Sequence, residues 1–222
     1  MHVVTDGKHK WIGIDKVNTG KGIVDTANPP EWANIFEAKF LDRMAKIKRG
    51  PQVIHAKDVG QIVALTGLGK GWKVVEGGSG SGHLTCWLGH LGCTVYSYEQ
   101  RDDFFKIASY NVDSLGLKKV KMRKGSVFEM KEKKVDLVIY DLQDPWKGTA
   151  IAFKVLKKGG YLLTYLPNVQ QVTTWLASTK DFAEHRVVTN TVLDWRADAE
   201  KFRPKSKTLA HTAFICVCRK LK

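Results

Sequence analysis

The chain has 222 residues and a mass of 24.9 kDa, the size of one ordinary domain with at most a short appendage. Hydrophobic residues make up 43% and charged residues 26%, a globular composition that excludes wholesale disorder, and no apolar run approaches the ~20 residues that span a bilayer. The net charge is +14, with +8 of it in residues 151–222; such an excess favours a polyanionic partner, because Lys and Arg release counterions from a phosphate backbone.

The opening MHVVTDGKHK lacks the apolar stretch of a secretory signal, so a soluble cytoplasmic protein is expected. Residues 1–28 are rich in Gly, Lys and Asp, with short apolar pieces at Trp11–Ile14 and Gly22–Val24. They read as a small β-meander or hairpin. After Pro29-Pro30, residues 32–48 place Ile35, Phe36, Phe40, Leu41, Met44 and Ile47 at helical spacing, which predicts a helix. Residues 1–48 are therefore expected to form a small N-terminal β/helical extension to a main domain of residues 49–222.

From residue 57 a strict alternation begins. Asp58–Leu68 reads as a helix, Lys73–Glu76 as a strand and His83–His90 as a helix. Thr94–Glu99 is a strand, Arg101–Leu115 a helix, Lys119–Arg123 a strand and Val135–Asp141 a strongly apolar strand. Ala150–Leu156 is a helix ended by Gly159-Gly160, Tyr161–Leu166 a strand and Val169–Ala177 a helix. The pattern then changes to two strands, His185–Trp195 and Thr212–Arg219. Five βα units followed by a hairpin predict an α/β fold: a mostly parallel sheet with an antiparallel edge. Of the four cysteines, Cys86, Cys93, Cys216 and Cys218, none forms C-x-x-C. Neither a disulfide framework nor a metal site is indicated.

Gly77-Gly78-Ser79-Gly80-Ser81-Gly82 follows a strand and opens a helix. Such a backbone can turn sharply and approach a ligand closely. Glu76 ends the strand before the glycines, and Glu99 ends the next strand 23 residues later. A carboxylate at that second place can accept both ribose hydroxyls of a nucleoside. The acidic Glu76 beside the loop repels a diphosphate and suits an ammonium or sulfonium. This E-x-G-x-G-x-G arrangement resembles the class I S-adenosylmethionine-dependent methyltransferases. That resemblance implies a Rossmann-like seven-stranded sheet whose last two strands form an antiparallel hairpin.

Asp141 ends the fourth strand, beside the glycine-rich first strand, and is followed by Leu142-Gln143-Asp144-Pro145-Trp146. Ligands of doubly wound sheets bind beyond such strand ends. The D/N-P-P-Y/F/W signature of exocyclic-amine methylases is replaced here by D-L-Q-D-P-W, which argues against that chemistry. D-L-x-D-P-W is similar to the TrmI-type tRNA (adenine-N1)-methyltransferases, and three further segments share the similarity. They are Arg49-Gly50-Pro51-Gln52-Val53-Ile54-His55-Ala56-Lys57-Asp58, Tyr165-Leu166-Pro167-Asn168-Val169-Gln170-Gln171-Val172, and Arg203-Pro204 with His211-Thr212-Ala213-Phe214-Ile215.

The resemblance implies S-adenosyl-L-methionine as cofactor, and tRNA as partner with N1 of a T-loop adenine as target, at position 58 with 57 as a second candidate. It places the methionine part of the cofactor against Gly78, Ser79, Gly80 and Ser81, with Gln52 and Glu76 also contributing. Glu99 would hold the ribose, while Ser126 and Val127 would face the adenine and Phe104 would flank it. Ser126 stands where the family has Asp. Asp141 would lie between cofactor and target base and act catalytically. His55 would join it, standing where the family has Tyr; capping of the following helix is its other reading. A homotetramer is also implied. Lys201, Arg203, Lys205 and Lys207 are the best candidates for phosphate contacts, against the reading of a solvated hairpin loop. Two alternatives stay open on the residues alone. One is a small-molecule methyltransferase of the corrin type. The other is a non-catalytic RNA-binding subunit, for which a degraded cofactor loop would be expected.

Overall fold

The computed structural model describes residues 1–50, 52–197, 201–206 and 209–222. It divides into two compact units, Met1–Lys48 and Arg49–Lys222. In the first, strands β1 (His2–Thr5), β2 (Lys10–Gly13), β3 (Lys16–Thr19), β4 (Gly22–Asp25) and β5 (Asn34–Glu37) precede a short helix α1 (Phe40–Met44). β1 runs between β2 and β5, antiparallel to both, and β3 pairs with β4. Val4, Val17 and Val24 form its core, with Trp11, Trp32 and Ile35 packed around them. The helix expected over 32–48 is thus confined to Phe40–Met44, and Asn34–Glu37 is a strand instead. β1 offers Asn34–Glu37 a four-residue ladder, and Ile35 a place in that core. A short isolated helix, by contrast, must meet a nucleation cost.

In the second unit the order is α2 (Ala56–Thr66), β6 (Lys73–Gly77), α3 (His83–His90), β7 (Thr94–Glu99), α4 (Asp102–Ser114), β8 (Val120–Lys124), β9 (Val135–Tyr140), α5 (Thr149–Val155), β10 (Leu156–Leu166), α6 (Val169–Ser178), β11 (Ala183–Val188), β12 (Trp195–Arg196), β13 (Arg203–Pro204) and β14 (Phe214–Arg219). The seven-stranded sheet has the order β11-β14-β10-β9-β6-β7-β8. β14 pairs antiparallel with both neighbours, and the other pairings are parallel. VDLVIY of β9 is apolar apart from Asp136 because both faces of a central parallel strand are covered. Val74, Leu88, Val95, Leu137 and Ile139 pack on the face of α2 and α3. Val75, Val138, Tyr140, Leu162 and Trp175 pack on the opposite face.

Two local expectations fail. Gly159-Gly160 does not close a helix: α5 ends at Val155, and the pair lies in a bulge of β10 between Leu156 and Tyr161. The strand expected to reach Trp195 stops at Val188, and Trp195–Arg196 instead pairs with Arg203–Pro204 as a separate ribbon. Between β8 and β9 stands no helix, only a single 3-10 turn at Val127–Glu129.

β6 lies between β9 and β7, so the chain winds outward in both directions from it. The carboxyl ends of these strands border the crevice where doubly wound sheets bind ligands.

Candidate active site

Two adjoining cavities open at those strand ends. The first, about 220 Å³, is lined by Gly78, Glu99, Ser126, Val127, Phe128 and Leu142 among others. The second is lined by Gln52, Glu76, Gly78, Ser79, Gly80, Ser81, His83 and Asp141. Gly78 belongs to both. Its φ is +88°, and a Cβ there would drive into the Asp141 carbonyl oxygen. Only glycine lets the loop pass this close to the end of β9.

Glu99 is 6% exposed. One carboxylate oxygen accepts from the Gly80 N–H at 2.9 Å; the other accepts from the Arg101 N–H at 3.0 Å and, at 3.5 Å, from the exposed Arg101 Nε. A carboxylate has about four acceptor positions, so lone pairs remain for a ribose. Glu76 is buried behind the loop, where one oxygen accepts from Thr85 Oγ1 at 2.5 Å and Ser97 Oγ at 2.6 Å. Burial pushes its pKa up to about 7 against these two hydrogen bonds, with Asp141 and Glu99 adding repulsion. Asp141 has its side chain open to the cleft yet ringed by protein. Desolvation, then the charge of Glu99, raises its pKa to about 6. The Ser126 hydroxyl accepts from the Phe128 N–H at 3.2 Å, capping the 3-10 turn and leaving its own proton to donate.

Two buried atoms in the second cavity, Ser81 Oγ and His83 Nδ1, have no hydrogen-bond partner among the described residues. They stand at the N-terminus of α3, whose partial positive charge favours an anion. Three carboxylates thus surround a crevice whose far end carries orphaned polar groups and a helix dipole. This set fits a zwitterionic amino acid joined through a cationic centre to a nucleoside. Sequence patterning passed over His83, whose position three residues beyond Gly80 at a helix start was the available signal.

Phe104 is not among the residues lining the nucleoside cavity. Its ring carries the Arg101 guanidinium at 3.8 Å from the centroid, and a Cβ on Gly50 would meet it at 2.5 Å. His55 is the N-cap residue of α2 but makes no side-chain capping bond. Its side chain lines a third, wider groove of about 490 Å³, with Gln52, Asp141, Tyr165, His211 and Thr212. Asp141 is therefore common to the cofactor crevice and this outer groove.

The outer groove rests on a buried polar network that sequence reading missed. Asp58 is fully buried. It accepts from Lys57 Nζ at 2.7 Å, Tyr165 OH at 2.9 Å and Thr212 Oγ1 at 2.7 Å. Lys57 Nζ also donates to the Asn190 carbonyl at 2.6 Å and to Thr212 Oγ1 at 2.7 Å. Every charge here is paired and hydrogen-bonded, the condition for burying it. Burial and the hydrogen bond to Asp58 both raise the Tyr165 pKa, so the phenol stays neutral.

Residues 68–207 match the methyltransferase-domain family. The tRNA (adenine(57)-N(1)/adenine(58)-N(1))-methyltransferase TrmI of Methanocaldococcus jannaschii is 30% identical, over 93% of this chain and 88% of that protein. The chain belongs to the TrmI family of methyltransferases. Solved structures agree on the fold. TrmI of Aquifex aeolicus superposes with a TM-score of 0.85 at 24% identity, covering 100% of this chain and 96% of that one. An S-adenosylmethionine-dependent O-methyltransferase of Thermotoga maritima gives 0.87 at 24% identity, covering 100% and 92%. As a member of this family the protein uses S-adenosyl-L-methionine for methyl transfer. The intact crevice removes the main ground for reading it as a non-catalytic subunit.

Proposed function

We propose that this protein methylates N1 of an adenine in the T loop of tRNA, at position 58, with the adjacent position 57 as a second candidate. The observation that carries the reading is Asp141, shared by the cofactor crevice and the outer groove. When bound, S-adenosylmethionine supplies a methyl group on a sulfonium. Glu99 holds the ribose, Ser126 and Val127 border the adenine, and Ser81 and His83 take the amino-acid end. The target adenine turns out of its stack, at a cost of a few kcal/mol, and enters the outer groove beside His55 and Tyr165. N1 carries an in-plane lone pair, so no base need deprotonate it first. Methylation at N1 leaves positive charge on the ring and acidifies the N6 amine. Asp141 accepts a hydrogen bond from N6, balances that charge and can take the proton.

Basic residues of the 190–210 segment support a phosphate-binding role. Lys201, Arg203 and Lys205 are exposed there; Lys207, like Pro51, lies outside the described residues. No described helix is long and apolar enough to cross a membrane, and we place the enzyme in the cytoplasm with its substrate. The same segment exposes Val192, Leu193, Trp195 and Phe202. These apolar side chains support a homotetramer; light scattering is expected to give the mass of four chains, and a monomer would overturn this.

The reaction is tested by incubating bulk tRNA with the protein and methyl-labelled cofactor, then separating nucleosides by mass spectrometry. Label in 1-methyladenosine is expected. Label in another nucleoside, or none in RNA, would overturn the reading.

A further inference from the structure

We propose that the open face of β7 and β8 is a second RNA-contact surface, on which Tyr96 and the cations around it hold tRNA away from the cofactor crevice. The proposal rests on the tRNA reading above.

Helices α3 and α4 pack on one face of this end of the sheet. On the other, the missing helix between β8 and β9 leaves Tyr96 and Tyr98 of β7 beside Lys121 and Arg123 of β8, their cross-strand partners. Tyr96 is half-buried, whereas Lys121 and Arg123 are exposed. Three cations stand around the one ring: Lys121 Nζ at 5.3 Å from its centroid, Lys73 Nζ at 5.6 Å and the Arg123 guanidinium at 5.8 Å. None of the three side chains makes an ion pair with a carboxylate among the described residues. The acids nearby are already engaged. Glu132 accepts from Tyr98 OH at 2.8 Å, and Asp136 is paired with Lys157.

Like charges crowded at an aromatic ring repel one another, and the two nearby acids offset that only in part: Glu132 is turned to the Tyr98 phenol, and Asp136 accepts from the Lys73 backbone N–H and pairs with Lys157. Lysines on the edge strand β8 would be explained by protection of the sheet edge. That account does not reach Lys73, on the central strand β6. Lys73 Nζ donates to the Lys133 carbonyl at 2.9 Å and so joins the ring cluster to a neighbouring cavity of about 470 Å³. Its floor is Met130, Ile151, Val155 and Leu156, and its rim is five lysines with Glu132 among them. The charge therefore extends along the sheet, more than one phosphate needs and suited to a backbone. An aromatic ring among Lys and Arg is the arrangement that stacks bases of single-stranded or splayed RNA without reading sequence. Tyr98, two residues on, lines the nucleoside cavity, so the surface begins at the crevice wall.

The test compares wild type, Tyr96→Ala, Tyr96→Phe and the double variant Lys121→Ala/Arg123→Ala. It measures tRNA affinity across a salt series, cofactor affinity by calorimetry and mass by light scattering. Tyr96→Ala should weaken tRNA binding by about 5- to 100-fold and Tyr96→Phe by much less, because the ring does the stacking. The double variant should reduce the log–log salt slope by about 1.4–1.8. Cofactor affinity and mass should not move. Unchanged tRNA affinity in both the Tyr96→Ala and the double variant overturns the proposal; if their mass falls as well, the face is a contact between copies of the chain. Should wild type neither bind nor methylate tRNA, the tRNA reading itself fails, and a uridine oligonucleotide probe decides the surface alone. Oligonucleotide binding lost in Tyr96→Ala then supports it, and no binding sinks it.

Discussion

Asp141 shows how one carboxylate acquires its chemistry from position. β9 delivers it to the strand end, the Gly78 turn brings the loop against its backbone, and Glu99 supplies a neighbouring negative charge. Desolvation by the surrounding protein and that charge raise its pKa to about 6, above the usual range for an aspartate. The sign of the consequence follows directly. Below pH 6 the group is protonated and cannot balance positive charge on the adenine, so kcat/KM should fall on the acid side with an apparent pKa near 6 and level off above it. A cationic cofactor beside Asp141 favours its ionised form, which lowers the acid limb of kcat relative to that of kcat/KM. Asp141→Ala should keep cofactor binding while slowing single-turnover methyl transfer by roughly two to four orders of magnitude. Asp141→Asn should do no better than an intermediate rate, since an amide accepts one hydrogen bond but carries no charge. Near-normal transfer by Asp141→Ala, or a pH profile flat through 6, would assign the role to another group.

At the scale of elements, the outer groove is assembled from the start of α2, the end of β10 and the chain before β14, tied together by Lys57, Asp58, Tyr165 and Thr212. Asp58→Ala leaves Lys57 buried without its counter-charge, a loss of about 3–5 kcal/mol in stability. Denaturant unfolding reads it, and a change below 1 kcal/mol would show that the network is not under tension from burial. The same network shows where sequence reading ends. Each member was visible within its own motif, but Asp58 meets Tyr165 and Thr212 across separations of 107 and 154 residues. No local pattern encodes such a meeting. Strand and helix order from α2 to α6 was legible because parallel strands buried on both faces leave apolar runs, as in VDLVIY, and their helices leave period-3.6 stripes. The residues of the glycine loop, with Glu99 and Asp141, could be placed for the same reason: strand ends converge on one crevice. Spacing along α4 says nothing of which way the Phe104 ring turns, and in the structure it lies under the Arg101 guanidinium. β5 was misread because Ile35 and Phe36 suit either period. The free edge of β1, a tertiary feature, decides between them.

For the whole molecule, the +14 charge and the crevice make opposite demands. The crevice is acidic, with Glu99 close enough to raise the pKa of both Glu76 and Asp141, and it suits a cationic cofactor. The rest of the surface is strongly basic, and on the open β7–β8 face the cations lack carboxylate partners. Attraction to a polyanion through such a surface depends on release of counterions, whereas a small ligand held by enclosed groups is screened far less. The two affinities should therefore separate in a salt series. If about 6–10 phosphates are contacted, tRNA affinity should fall by about 10³–10⁵-fold between 50 and 200 mM salt. Cofactor affinity over the same range should stay nearly constant. A parallel decline of both would mean that salt disturbs the fold. A flat tRNA response would mean that the charge excess has no part in holding the substrate, and recognition would then have to reside in the outer groove beside His55, Asp141 and Tyr165.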